Sequence, residues 1–472
     1  MLHPDLLEPE VLYKEQLKDK HHENVVKEFE NLTKKSHVDP FENKDTCTKL
    51  YKEREVLNKL YKKSKGLKAL KALFIILCFV IIGIFLLIFV HRPKRKALNE
   101  QIAKQEKLCN ELLLTAKQQM APLNALFEST IPSKIMEKTT PLLDFDRIFD
   151  VKKYELLREK YGLWNNSDTD YSTLDLQSGN IYGNPFVIFK KLKKDIVMQR
   201  YEGSLTVTYT VVVGNSSRTV TETLRAHVDK PKPVYGENVY LVYGCDAANE
   251  LSFTREPSKI NKFDDQKEID RYVRHHEDDL EKMAEKATKK GKTYTPLGNS
   301  EFELFFGAFD RDNEIQFRLL FSPLAQKSLL DLMKSKVGFG DDFYFKKTKG
   351  LNVITTAHSQ GKNLFCNVED FKGFDYEVMQ KYFIDYNDHF FKCLFFDFAP
   401  LLSIPLYQQT KTREYIYQHT VKSNYNCFVH EVIANKMGRD SFAHKDSKTD
   451  VILKTTCEQV SGQNCSCFCS II

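Results

Sequence analysis

The longest apolar run in the chain covers residues 72–90, and it contains neither a charged residue nor a proline. A helix of this length would rise about 28 Å, close to the thickness of the hydrocarbon core of a bilayer. Polar residues precede the run and a basic segment follows it, a pattern that differs from a cleaved signal peptide. The pattern therefore predicts an uncleaved, single-pass transmembrane helix.

Basic residues flank this run on both sides, and they are the residues expected to contact anionic lipid headgroups: Lys62, Lys63, Lys65, Lys68, Lys71, Arg92, Lys94, Arg95 and Lys96. Positive charge usually marks the cytoplasmic side of a spanning helix. Here the two flanks nearly balance, so the pattern leaves the orientation open. The location is therefore predicted to be the cell membrane, with the side of the C-terminal part undecided.

Helical spacing of apolar residues predicts a polar helical leader at 1–71 and a helical stalk or linker at 91–165. From residue 171 the pattern changes to alternation with period two. Residues 204–211 and 218–228 alternate on either side of the turn 214–217 and contain many β-branched side chains. This pattern predicts a β-hairpin.

Beyond residue 260, helical and alternating patterns follow one another. The predicted elements are a helix at 264–290, a strand pair at 302–309 and 315–321, a helix at 323–336, a strand pair at 343–345 and 351–354, and a helix at 374–396. The predicted fold class is α+β, in which a mixed or antiparallel sheet carries packed helices. This soluble domain is expected at 166–410, followed by a C-terminal region at 411–472 with a cysteine-rich tail.

Composition narrows the class of protein. The chain has 472 residues and a net charge of +6, and its mean hydropathy of −0.43 is that of an anchored globular protein, not of a polytopic transporter. The basic residues concentrate beside the apolar run, so no nucleic-acid partner is predicted. The 11 cysteines are scattered and odd in number. Their pattern favours reduced thiols, which would place the C-terminal part in the cytoplasm.

Two segments resemble a known family. Residues 299–310 (NSEFELFFGAFD) and 315–323 (IQFRLLFSP) resemble the galanin-labelled domain of unknown function found in bacterial membrane-anchored proteins. The turn at 178–185 and the segment 399–409 are similar to a mollicute branch of that family. The clear match covers a core at about 299–360. The resemblance implies a membrane anchor followed by an α+β domain, and it implies no catalytic residues.

Two arrangements suggest nucleophilic chemistry. Ser359 lies in the sequence Ala-His-Ser-Gln-Gly, which resembles a variant of the nucleophile elbow. Asp397 and His419 are the partners available later in the chain, but the elbow also needs a helix directly after the serine, and an alternating segment follows instead. The second arrangement is Cys393 with His389. These residues are the catalytic candidates if the protein is a hydrolase.

Metal ligands are sparse in the sequence. His275 and Asp279 are four residues apart on a predicted helix, so they share a face, although a solvated charged face is the alternative. The tail offers the thiols of Cys465, Cys467 and Cys469, and its last four residues also fit a prenylation motif. The prediction is that the protein holds no metal or other cofactor.

The sequence therefore favours a single-pass membrane-anchored protein that acts as a non-enzymatic binding or assembly module. Its expected partners are the lipid bilayer and either another protein or further copies of itself. The alternatives are a membrane-tethered hydrolase that uses Ser359 or the Cys393–His389 pair, and a surface-exposed adhesin if the C-terminal domain lies outside the cell.

Overall fold

The chain folds into two compact units. The computed structural model describes residues 8–77, 92–164, 168, 170–213, 216–291, 293–360, 366–409, 426–446, 452–459 and 465–471. The helical unit comprises residues 15–140 and 364–392, and the sheet unit comprises residues 1–14, 141–363 and 393–472.

The secondary structure is mixed. The α-helices are α1 (Pro9–Leu12), α2 (Lys18–Ser36), α3 (Pro40–Leu77), α4 (Arg92–Asn124), α5 (Ile131–Thr139), α6 (Val151–Glu155), α7 (Gln266–Lys289), α8 (Ser300–Phe306), α9 (Glu314–Leu320), α10 (Pro323–Lys334), α11 (Tyr376–Leu402) and α12 (Cys427–Lys436). The strands are β1 (Leu143–Phe145), β2 (Tyr171–Ile181), β3 (Asn184–Val213), β4 (Ser216–Gly244), β5 (Ser252–Arg255), β6 (Phe343–Thr348), β7 (Leu351–Thr356), β8 (Leu453–Gln459) and β9 (Cys465–Ile471).

In the helical unit, α3 and α4 lie side by side and run antiparallel. Near the start of α3, Glu42 and Thr46 each accept a hydrogen bond of 3.1 Å from Nε2 of Gln119, which lies near the end of α4. Further along α3, the carbonyl oxygen of Glu53 accepts a hydrogen bond of 3.1 Å from Nε2 of Gln105. Because residue numbers rise along one helix as they fall along the other, the two helices form an antiparallel pair.

The core of the helical unit is aromatic and aliphatic. Phe29 of α2 is fully buried, and its ring centroid lies 5.3 Å from that of Phe383 in α11. Phe127 and Phe371 pack on the same Phe383 ring. This packing joins the predicted polar leader to a segment more than 300 positions away in the sequence, so the leader contributes one wall of a shared core.

The sheet unit is built on a seven-stranded antiparallel sheet with the order β1-β2-β3-β4-β7-β6-β5. The turn between β2 and β3 has positive φ at Tyr182 (51°) and Gly183 (83°), as a two-residue hairpin turn requires. Both faces of the sheet are covered. Phe189 packs on Phe428 of α12 on one face, and Phe186 packs on Phe398 of α11 on the other, each with ring centroids 4.8 Å apart.

Most predicted elements of the α+β domain are confirmed, including the β-hairpin, the polar helix α7, the helix α10, and the pair β6 and β7. The expected strand pair at 302–309 and 315–321 is wrong, because these segments form α8 and α9. Asn299 Oδ1 accepts a hydrogen bond from the Phe302 amide at 3.1 Å, and Asn313 Oδ1 accepts one from the Gln316 amide at 3.0 Å. These side chains cap the two helices and satisfy free amide groups at their first turns.

The predicted transmembrane segment lies mostly outside the described residues. Helix α3 continues through Leu77 and α4 begins at Arg92, while residues 78–91 fall between the described ranges. Among the helices that the structure describes, none is both long and apolar enough to cross a membrane.

Candidate functional site

A group of buried and half-buried polar side chains lies where β7 ends in the sheet unit. We call it the His358 cluster; it consists of Thr356, His358, Ser359, Asp342 and Asp397. Thr356 is the last residue of β7, Asp342 directly precedes β6, and Asp397 lies on α11. Antiparallel pairing of β6 and β7 places Phe343 opposite Thr356, which brings the two chain segments together at this end of the sheet.

Hydrogen bonds hold every member of the His358 cluster. His358 Nδ1 donates to Asp342 Oδ2 at 2.7 Å, while Nε2 lies 3.3 Å from Asp397 Oδ1 and 3.1 Å from the carbonyl oxygen of Cys393. Ser359 Oγ lies 2.8 and 2.9 Å from the two Asp397 oxygens. Asp397 therefore accepts from both an imidazole and a hydroxyl.

The surroundings of His358 favour its charged form. Burial by itself lowers the pKa of His358, but its hydrogen bonds to Asp342 and Asp397 and the charges of both carboxylates outweigh that effect and raise the pKa to about 9. The ring also stacks on Phe339, with centroids 3.8 Å apart. At neutral pH the cluster holds an imidazolium between two carboxylates.

This arrangement differs from that of a nucleophilic serine. Such a serine needs a base that takes its proton, whereas Ser359 donates to a carboxylate and its neighbour His358 already carries two protons at neutral pH. Ser359 is also only 1% exposed. The geometry is that of a buried ion cluster that ties β7 to α11. The hydrolase alternative remains a prediction, and its other suggested partner, His419, lies outside the described residues.

We expect the His358 cluster to make the stability of the sheet unit depend on pH. The pKa of His358 is higher in the folded chain than its ordinary value of 6.5, so its contribution is complete below pH 6.5 and is lost as the pH rises through 9. That contribution is about 3 kcal/mol. Urea unfolding followed by the fluorescence of Trp164, the single tryptophan of the chain, measures it.

The readout for that experiment is the difference between the wild type and His358→Gln. Burial lowers the pKa of Lys347 to about 8. Above that pH the buried amine loses its proton, so in both proteins Lys347 raises the free energy of unfolding as the pH increases towards 10. The wild type should lose about 3 kcal/mol more than His358→Gln between pH 6 and pH 10. If the free energy of unfolding changed with pH in the same way for both proteins, His358 would not be held as an imidazolium.

Cys393 and His389, the second predicted catalytic pair, differ in solvent exposure. Cys393 is fully buried on α11 and its carbonyl oxygen accepts a hydrogen bond from His358, whereas His389, four residues earlier on the helix, is exposed. Six cysteines whose side chains the structure describes form no disulfide bond, and most of them are buried. The Cys393–His389 nucleophile also remains a prediction.

Where the structure describes the predicted metal ligands, they lie on the surface of a helix. His275 and Asp279 are both exposed on α7, and the Asp279 carboxylate lies 3.0 Å from Nδ1 of His276. Within the described residues, no group of three or more potential ligands could hold a metal ion. The backbones of Cys465, Cys467 and Cys469 lie on β9, which pairs antiparallel with β8.

A second candidate site is an interaction surface on β3 and β4. The two strands pair with each other along their whole length, but β2 pairs with β3 only as far as Lys193, and β7 pairs with β4 only from Leu241 onward. Residues 195–213 and 216–234 therefore form a two-stranded ribbon about 60 Å long, which we call the arm. Nearly every arm residue whose side chain is described is exposed.

The two faces of the arm differ in character. Alternation places most of the large apolar side chains on one face, which we call the apolar face, although Gln199, Arg218, Glu222, Lys230 and Lys232 also lie on it. Its large exposed apolar members are Val197, Tyr201, Leu205, Val207, Tyr209, Val211, Leu224, Val228 and Val234. The opposite face carries threonine pairs and the Arg200–Asp229 ion pair, with Ile196 and Met198 at its base. The sequence predicted the hairpin but missed the arm, because the pattern of one hairpin does not show where neighbouring strands stop.

Comparisons of this chain with protein-family models, with curated proteins and with solved structures found no match. The galanin-labelled resemblance therefore stays an expectation from the residues that carry it.

Proposed function

We propose that this protein is a membrane-anchored, non-enzymatic assembly module in which the arm binds the arm of a second copy of the chain. The observation that carries the proposal is the exposed apolar face of the arm. A two-stranded ribbon alone is at best marginally stable in water. An extended apolar face with a polar reverse side is typical of a surface that packs against a partner.

A second copy fits this face in shape. If two arms pack face to face and antiparallel around a two-fold axis, the small residues Gly203 and Ala226, which lie opposite each other in the ribbon, can occupy the axis. Leu205 of one copy then lies over Tyr201 of the other, and Leu224 lies over Val228. Large apolar side chains of the two copies therefore contact each other on both sides of the two-fold axis, where the ribbons lie closest together.

The same packing is complementary in charge. Glu222 and Lys230 lie on the apolar face of β4, on opposite sides of Ala226 and at equal distances from it. With the axis at Ala226, Glu222 of each copy therefore lies over Lys230 of the other. Opposite charges that pair across an interface fix its register and disfavour other arrangements.

The expected affinity is low in dilute solution. The apolar face from Val197 to Val211 is about 50 Å long and about 10 Å wide. One copy would thus bury about 500 Å², less than the roughly 800 Å² per partner of a standard stable interface. Attachment of both copies to one membrane raises their effective concentration and offsets this deficit.

The apolar run at 72–90 and its basic flanks support the membrane part of the proposal. The run has the composition of a lipid-embedded segment, and exposed lysines or arginines precede and follow it at Lys62, Lys63, Lys94 and Arg95. These cations would lie at the level of anionic headgroups.

Charge reversal on the arm tests the assembly. Glu222→Lys places like charges at two symmetric positions of the dimer, so we expect the crosslinked dimer fraction in membranes to fall about tenfold, and Lys230→Glu should do the same. The double variant Glu222→Lys/Lys230→Glu restores both pairs and should recover the wild-type fraction. Crosslinking of the full chain in membranes, followed by denaturing electrophoresis, measures the fraction.

The matched control is Glu202→Lys, which makes the same charge change on the opposite face of the arm and should leave the dimer intact. Equal dimer fractions in all variants would contradict the proposed interface, and so would a double variant that fails to recover. If the arm were crosslinked to a different protein and not to a second copy, that protein would be the partner of the arm.

A further inference from the structure

We propose that α3 and α4, the helices on either side of the apolar run at 72–90, lie on the same side of the membrane, in the cytoplasm. This inference rests on the membrane anchoring proposed above, and it replaces a single-pass topology with a one-sided anchor. The described residues on both flanks carry it.

The first observation is the pairing of α3 with α4 up to the apolar run. Beyond the contacts of Glu42 and Glu53, the hydroxyl of Tyr61 on α3 donates to the carboxylate of Glu106 on α4. Still nearer the run, Gly66 and Leu67 of α3 line one groove together with Lys94 and Leu98 of α4. The two helices thus remain side by side to within a few residues of the run on both flanks.

A straight spanning helix conflicts with this proximity. Leu67 and Lys94 are separated by 27 positions, which a continuous helix would convert into about 40 Å. Its two ends would then lie in different aqueous compartments. The shared groove instead places these residues beside each other, as one side of a membrane requires.

The charge pattern also fits. Lys62, Lys63 and Lys65 of α3 and Arg92 and Lys94 of α4 are exposed, and the antiparallel pairing puts them at the same end of the helix pair. Basic residues next to membrane segments favour the cytoplasmic side. A spanning helix would leave one of the two basic flanks on the outer side, whereas a one-sided anchor places both on the favoured side and next to anionic lipid.

Site-specific labelling tests this topology. Glu55→Cys on α3 and Lys104→Cys on α4 replace exposed residues on the two flanks. Sealed inside-out vesicles, which expose their cytoplasmic face, are treated with a membrane-impermeant maleimide, and peptide mass spectrometry resolves each position among the eleven native cysteines. We expect both positions to be labelled to the same extent as after permeabilisation.

Labelling of one position with protection of the other would overturn the inference and restore a spanning helix, and protection of both would overturn the cytoplasmic assignment. A chain that stays in the supernatant when the vesicles are pelleted would instead refute the membrane anchoring itself. The pair Glu53→Cys/Gln105→Cys adds an independent readout: a short bis-maleimide should join the two residues within one chain in membranes, and absence of that crosslink would contradict the helix pairing.

Discussion

Replacing Asp397 with alanine is expected to lower the free energy of unfolding of the sheet unit by about 3–5 kcal/mol, because it leaves a buried imidazolium without one of its two carboxylates. Asp397 is 4% exposed, and its carboxylate also accepts hydrogen bonds from Ser359 at 2.8 Å and from Thr356 at 2.5 Å. Urea unfolding followed by Trp164 fluorescence at pH 7 measures the loss.

Ser359→Ala is the matched control for this prediction. It removes one hydroxyl from the same cluster and leaves the ion pairs, so the expected loss is about 1 kcal/mol. The two variants also separate a structural cluster from a catalytic one. If Asp397→Ala kept the wild-type stability while both variants abolished hydrolysis of an ester substrate, the structural interpretation would be refuted and the hydrolase alternative would replace it.

Replacing Arg311 with alanine is expected to cost a similar amount, about 3–5 kcal/mol. Arg311 is 5% exposed, and its guanidinium donates to Glu303 at 2.6 Å, to Glu314 at 2.8 Å and to the carbonyl oxygen of Thr295 at 2.7 Å. It therefore joins α8, α9 and the segment that precedes them. The substitution leaves Glu303, itself 2% exposed, without its cation.

A double variant distinguishes the charge effect from lost packing. Arg311→Met and Arg311→Met/Glu303→Gln have the same side-chain volume at position 311, but only the single variant leaves Glu303 with an uncompensated buried charge. The double variant should therefore be more stable than the single variant Arg311→Met by about 2 kcal/mol or more. Trp164 fluorescence again reports unfolding of the sheet unit. A double variant as unstable as the single one would show that the ion pair contributes little and that packing around Arg311 dominates.

Arg311 also shows why part of the fold could not be predicted from sequence. The residues 310–313 have the composition of a hairpin turn, and the flanking apolar residues are compatible with short strands. The deciding contacts are the capping bonds of Asn299 and Asn313 and the long side chain of Arg311, which reaches three different segments. By contrast, the alternation in β3 and β4 is long and local, so it predicted the hairpin correctly.

The candidate sites were predictable to different degrees. Ser359 and Asp397 were identified from sequence, and the structure brings them together, but their neighbours His358 and Asp342 were missed because a buried ion pair between residues 16 positions apart has no spacing signature. The arm depends on where β2 and β7 end, and the pairing of α3 with α4 depends on contacts across the apolar run. Neither is a local property of the sequence.

The arm and the helix pair support one account of the molecule. A one-sided anchor would hold many copies at one membrane surface, and the arm would join them through a face too small for strong binding in solution. Under this account the His358 cluster is a structural element of the sheet unit. Assembly in this form requires the antiparallel packing of two arms around Gly203 and Ala226.

Distances between spin labels on two copies of the arm measure this packing. A spin-labelled non-canonical amino acid at Glu202 or at Thr210 leaves the native cysteines untouched, and both positions are exposed on the polar face. Glu202 adjoins the proposed axis, so its two labels should lie about 25 Å apart across two stacked ribbons. Thr210 lies seven residues beyond Gly203, so its labels should lie about 50 Å apart.

Double electron–electron resonance of the full chain in membranes should show this order of distances: short at residue 202 and long at residue 210. A shorter distance at Thr210 than at Glu202, or no intermolecular distance at either position, would contradict this packing.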